Sequence, residues 1–112
     1  MDKRTRKYAY QILAAITLTA KLGTIQFNGH RETWYNLDMS RITRQTDEAV
    51  GMTGMYNVRE DGVKCYGPFV IVAADLNLHP RYTFVETSLG TGVVLDTHTA
   101  ADRETVDIAT AW

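Results

Sequence analysis

The period of apolar and polar positions changes several times along this chain. Between Lys7 and Leu22 the residues Tyr8, Ile12, Ile16 and Ala20 recur every fourth position. That is the stripe of an amphipathic helix, with Gly23 as its stop. The same stretch has a basic head followed by the run from Ile12 to Ala20, the outline of a signal peptide. Two threonines interrupt the run, and no convincing cleavage site follows. Beyond Gly23 the period shortens to two. Ile25-Gln26-Phe27 and Thr33-Trp34-Tyr35 read as strands around an Asn28-Gly29 turn, which predicts a hairpin. The helical period returns from Asp38 to Val50, with Asp38 or Ser40 as cap and Gly51 as stop.

A Gly- and Met-rich loop leads to a second predicted hairpin. Met55 to Arg59 and Val63 to Tyr66 flank Glu60-Asp61-Gly62. Short strands then dominate. Phe69 to Ala74 is almost continuously apolar, as a strand buried on both faces would be. Tyr82 to Thr87 alternates, Leu89 to Gly92 is expected to turn, Val93 to Leu95 continues, and Val106 to Ala109 forms the last strand. This pattern predicts a mainly β fold, a compact barrel or sandwich carrying one or two helices. Residues 1–112 form a single domain in this reading: residues 1–22 are the helix or signal-like segment and residues 24–112 the barrel.

Composition changes this picture little. A formal net charge of −1 gives no global attraction to nucleic acid. Charge is uneven, with Lys3, Arg4, Arg6 and Lys7 at the start and an acidic region after Val70. The single cysteine, Cys65, rules out an internal disulfide and a cysteine-held zinc; a small core residue is its expected role. No stretch is long enough to span a bilayer.

The candidate chemistry lies in three aspartates that end or interrupt apolar runs: Asp75 after Phe69 to Ala74, Asp96 after Val93 to Leu95, and Asp107 between Val106 and Ile108. Carboxylates are costly where strands are being buried. On spacing alone they read first as separate turn and cap residues. If their strands are neighbours, they converge at one rim, and like charges held close push at least one carboxyl toward its protonated form. Such a group suits general acid catalysis at a glycosidic oxygen. A hard divalent cation held by the aspartates with His79 or His98 is a weaker reading, because the spacing matches no calcium loop. Trp34, Tyr35 and Trp112 are aromatic and suit either packing or sugar stacking.

The residues from Asp75 through Pro80 to Thr83, then Leu89-Gly90-Thr91-Gly92-Val93-Val94-Leu95-Asp96-Thr97, then Val106-Asp107-Ile108 resemble the three-aspartate (3D) domain of bacterial cell-wall enzymes. That family includes membrane-bound lytic transglycosylase A and the stationary-phase muralytic proteins of Gram-positive bacteria. Three departures stand out: Leu76 follows the first aspartate in place of proline, Tyr82 stands where glycine is usual, and His98-Thr99 replaces a glycine pair.

The resemblance implies a small double-psi β-barrel and lytic transglycosylase chemistry on peptidoglycan glycan strands, at the cell wall or outside the cell. It implies Asp107 as general acid/base, Asp96 as the carboxylate that sets its protonation, and Asp75 as a sugar-positioning or charge-stabilising group. Thr97, His98 and Trp34 are the expected substrate contacts. It implies no metal and no organic cofactor, and no nucleic-acid partner. Membrane association, oligomeric state and the biological setting, whether wall remodelling, germination or phage lysis, stay open. A non-catalytic glycan-binding or interaction module on the same barrel is the alternative.

Overall fold

The computed structural model describes residues 16–112. Most of the expected N-terminal helix, and the signal-like basic head, lie outside the described residues. The part that falls inside, residues 16–22, is not helical. Leu18 is buried in the core and its N–H donates to Ser88 Oγ. Thr19 closes a turn instead, its carbonyl accepting from the Gly23 N–H and its hydroxyl from the Leu22 N–H. Anchoring Leu18 in the core overrides the four-residue stripe, and Gly23 (φ 73°) ends a turn rather than a helix.

Eight strands and one helix follow: β1 (Thr24–Phe27), β2 (His30–Tyr35), α1 (Ser40–Val50), β3 (Tyr56–Val58), β4 (Lys64–Tyr66), β5 (Phe69–Ala74), β6 (Phe84–Thr87), β7 (Gly90–Thr97) and β8 (Val106–Ala109). The fold is mainly β. Both predicted hairpins form. Asn28 and Gly29 take the positive φ that the tight β1–β2 turn demands, and β3 pairs antiparallel with β4. The turn expected over Leu89 to Gly92 lies earlier, at Ser88-Leu89, and Gly90 already begins β7. Gly92 is needed for close approach. A Cβ there would stand 3.0 Å from both Val72 Cγ1 and the Val85 carbonyl oxygen.

One hydrogen-bonded sheet runs β1-β2-β8-β5-β4-β3, with β7 also on β5 and β6 on β7. Two pairs are parallel, β2 with β8 and β5 with β7. The sheet does not close into a barrel. Among the described residues β1, β3 and β6 each have a strand on one side only. Strand β5 is the hub, and its apolar run reflects burial on both faces. Val70, Val72 and Ala74 join Val94, Val106 and Ile108 in one core, while Ile71 joins Met39, Val93, Leu95 and Ala109 in the other. Helix α1 covers that second face with Ile42 and Thr43, and buried Met39, rather than the expected Asp38 or Ser40, stands at its N-cap.

Candidate active site

The strand register assembles a row of side chains across four strands. Asp96 on β7 pairs with Ala73 on β5, Ala73 with Asp107 on β8, and Asp107 with Thr33 on β2. Directly paired residues project to the same face of a sheet, so both carboxylates stand on one face with Ala73 between them. Two strand spacings put their Cα atoms about 10 Å apart. Ala73 between them is itself buried (2% exposed).

Asp96 reaches this row through an irregularity. Along β7, Val93 and Leu95 face the helix-covered core and Val94 the other. Simple alternation would turn Asp96 toward the core of Val94. The register instead steps from Val72 opposite Val94 to Ala73 opposite Asp96, leaving Leu95 as the extra residue of a bulge. A bulge re-aims the side chain that follows it, and here it places Asp96 beside Ala73.

The two carboxyls have different surroundings. Asp107 is half-buried and accepts one hydrogen bond, from Thr33 Oγ1 at 2.8 Å. Burial pushes its carboxyl above the usual range. The Thr33 hydrogen bond and the His98 ring oppose that shift, the Asp96 charge adds to it, and Arg31 opposes it weakly. Asp96 accepts from Tyr35 Oη at 3.1 Å on one oxygen and from the Thr97 N–H at 2.8 Å on the other. The Tyr35 phenol is driven far above its ordinary range, first by burial and then by the Asp96 charge, the hydrogen bond to Asp96 and the Asp107 charge.

The third aspartate is not part of this pair. Asp75 follows β5 in a turn, where its carboxylate accepts from the Asn77 N–H and from Arg103 Nε at 2.7 Å. Arg103 holds the Asp75 carboxyl below the usual range, with the Asn77 N–H second. Its charge is therefore already matched, which works against the role of stabilising a sugar cation. The predicted substrate contacts also separate. Thr97 is exposed beside Asp96. His98 stands near Asp107, with its ring engaged by its own loop: Nε2 lies 2.6 Å from the Thr105 carbonyl oxygen and Nδ1 accepts from the Ala100 N–H. Trp34 lies on the opposite face from Thr33 and Tyr35, packed edge-on to Trp112 at 5.7 Å against the first core. Strand alternation removes it from the aspartate row.

Thr33 and Ala73 were not singled out by the sequence, and Tyr35 only as an aromatic. The usable signal was Thr33 and Tyr35 at i and i+2 of one strand, but their partners depend on register. A cleft of about 330 Å³ opens where β5 and β1 end and β8 begins, lined by Asn28, His30, Leu78, His79 and Glu104. Among the described residues no group of three His, Cys, Asp or Glu side chains is placed to hold a metal ion. No protein-family model, no curated protein and no solved structure matches the chain. Its class is thus defined by its own architecture: a mainly β domain with a two-carboxylate row on one face of the sheet.

Proposed function

We propose that this protein is a peptidoglycan lytic transglycosylase acting through Asp107, on an opened form of the double-psi β-barrel. The observation that carries the reading is the Asp96–Ala73–Asp107 row, in which burial biases one carboxyl of a facing pair toward its protonated form. Two further features support it. The sheet contains two parallel strand pairs among antiparallel ones. Tyr82 stands where the resembling family has glycine, and its backbone is left-handed (φ 70°), the conformation glycine adopts without steric cost.

Protonated Asp107 gives its proton to the oxygen between N-acetylmuramic acid and N-acetylglucosamine as the C1–O bond breaks. The ionised Asp107 then takes the proton of the muramic C6 hydroxyl, whose oxygen bonds to C1. The product is a 1,6-anhydro sugar, Asp107 ends protonated, and no water is consumed. Asp96, across Ala73 from Asp107 in the same row, stabilises the oxocarbenium-like charge in place of the Arg103-paired Asp75. General acid/base catalysis of this kind contributes about 10²–10⁴ in rate. Such a protein acts at the cell wall. Among the described residues no helix is long and apolar enough to cross a membrane.

The Asp75–Arg103 pair favours a second reading, a glycan-binding module with a partial acid site. Mass spectrometry of soluble fragments from purified peptidoglycan separates the two. Anhydro-muropeptides from wild type but not from Asp107→Asn are expected. Reducing-end products would mean hydrolysis and a different mechanism. Retention on peptidoglycan without any product would favour the binding module.

A further inference from the structure

We propose that Arg31 binds a carboxylate carried by the substrate, and so selects an acidic glycan over a neutral one at the aspartate row. The inference rests on the transglycosylase reading for the identity of the glycan; the anion site itself stands on the layout of β2.

Arg31 lies two residues before Thr33, whose hydroxyl meets Asp107. Alternation along β2 puts Arg31, Thr33 and Tyr35 on one face, with Arg31 about 7 Å along the strand from Thr33. Arg31 is exposed, yet close enough to Asp107 for its charge to act on that carboxyl. Its cross-strand neighbour on β1 is Gln26, a neutral amide. Among the described residues no carboxylate stands within ion-pair distance of Arg31. Other cations of the sheet and its loops are engaged. Arg59 is paired with Asp61 and Arg103 with Asp75. Arg81 Nη1 donates to the Leu95 carbonyl, and Lys64 Nζ to the Asn36 side chain and the Leu37 carbonyl. Among the described residues Arg31 is thus the guanidinium on the face of the row that keeps its fork of donors for a ligand.

The row limits which anion it takes. Asp96 and Asp107 stand on the same face, so added negative charge is opposed there. A carboxylate brings one charge and matches the guanidinium fork with two hydrogen bonds. A phosphate monoester brings close to two charges. Carboxylates are also what the proposed substrate carries. The lactyl arm of muramic acid ends in a carboxyl, free in peptide-free strands and an amide where a stem peptide is attached. The stem peptide then carries carboxylates of its own. The scissile C1 belongs to the same ring as the lactyl arm, so one bound sugar can meet Asp107 at C1 and Arg31 through its acidic arm.

The test is NMR titration of the full chain with N-acetylmuramic acid, N-acetylmuramoyl-L-alanine and N-acetylglucosamine, in wild type, Arg31→Gln and Arg31→Lys. At least one acidic sugar is expected to bind wild type about tenfold more tightly than N-acetylglucosamine, the size of one charge-assisted contact. Arg31→Gln should erase that preference and Arg31→Lys keep part of it. A preference for N-acetylmuramic acid assigns the lactyl carboxylate to Arg31, and a preference for its alanine amide assigns the stem peptide. Equal binding of all three sugars by wild type, or binding of none, overturns the proposal without any variant. So does an Arg31→Gln protein that folds and keeps the acid preference. On peptidoglycan, Arg31→Gln is expected to raise KM about tenfold with kcat held. A fall in kcat at unchanged KM would overturn the binding role. Absence of any anhydro product from wild type would remove the enzymatic reading, while the sugar titrations still decide the anion site.

Discussion

Glu32 and Asp107 sit one position apart in facing strands, since Glu32 pairs with Val106 and Thr33 with Asp107. Alternation sends them to opposite faces of the same sheet, and their fates differ. Glu32 is fully buried (0% exposed) and receives the Ser88 N–H and hydroxyl, with His30 Nε2 at 3.6 Å. The same Ser88 oxygen accepts from the Leu18 N–H. This carboxyl ties the β6–β7 turn and the segment before β1 to β2. Asp107 has one hydroxyl partner, a second carboxylate across Ala73, and an accessible side. A buried acid whose oxygens are satisfied by fixed donors is a structural cross-link. One that is half-buried and under-satisfied is poised to exchange a proton.

The comparison can be broken most severely at Asp107. Asp107→Asn is expected to lower anhydro-product formation by about 10²–10⁴, read by fragment mass spectrometry, without loss of fold. Its folded-state carboxyl is raised, so the folded chain holds this proton where the unfolded chain has released it. Ionisation therefore costs stability as pH rises through the folded value. The asparagine variant should melt at or above wild type at neutral pH and lose this component of the pH dependence. An Asp107→Asn protein that melts well below wild type would put Asp107 in the structural class with Glu32.

Glu32→Ala is the converse experiment. Removing the buried carboxylate strands the half-buried Ser88 donors and is expected to cost about 3 kcal/mol in denaturant unfolding. Glu32→Gln, which keeps an acceptor, should cost less. Equal losses from both would mean that the Ser88 hydrogen bonds contribute little. Gly92→Ala sharpens the role of the β5–β7 packing that carries Asp96. With a Cβ 3.0 Å from Val72 and from the Val85 carbonyl, a loss of about 1–3 kcal/mol is expected, read as a shift of the urea midpoint.

The smallest effect belongs to Asp75. Its carboxyl is lowered by Arg103, so the stability it contributes is present above the unfolded value near 4 and is lost as pH falls through the folded value. Asp75→Asn should melt slightly below wild type at neutral pH and converge with it in acid, the opposite sign to Asp107→Asn. Parallel pH–melting curves of the two variants measure this directly. A large activity loss in Asp75→Asn with unchanged melting would return Asp75 to the site.

Much of the fold was legible. The Asn28-Gly29 and Asp61-Gly62 turns, the end of α1 at Gly51 and the doubly buried β5 follow from local rules of turn chemistry and period, and each formed where those rules put it. The helix expected to reach Leu22 did not extend into the described residues, because a contact with Ser88, 70 residues away, fixes Leu18. The turn placed at Gly90 and Gly92 was misread for a related reason. Gly92 serves close packing between strands, which a local pattern cannot distinguish from a turn.

For the site, the sequence by itself determined which aspartates end apolar runs and that β8 carries Asp107 between two core residues. The tertiary structure alone decided which of them meet. Whether two carboxylates face each other depends on strand order and register, which are set by the summed burial of all the strands. Asp96 joins Asp107 only because one extra residue at Leu95 reverses its face. Asp75 leaves because Arg103, 28 residues on, lies within a hydrogen bond of it. Period and spacing record what each residue prefers; pairing between distant strands records what the whole chain could satisfy at once.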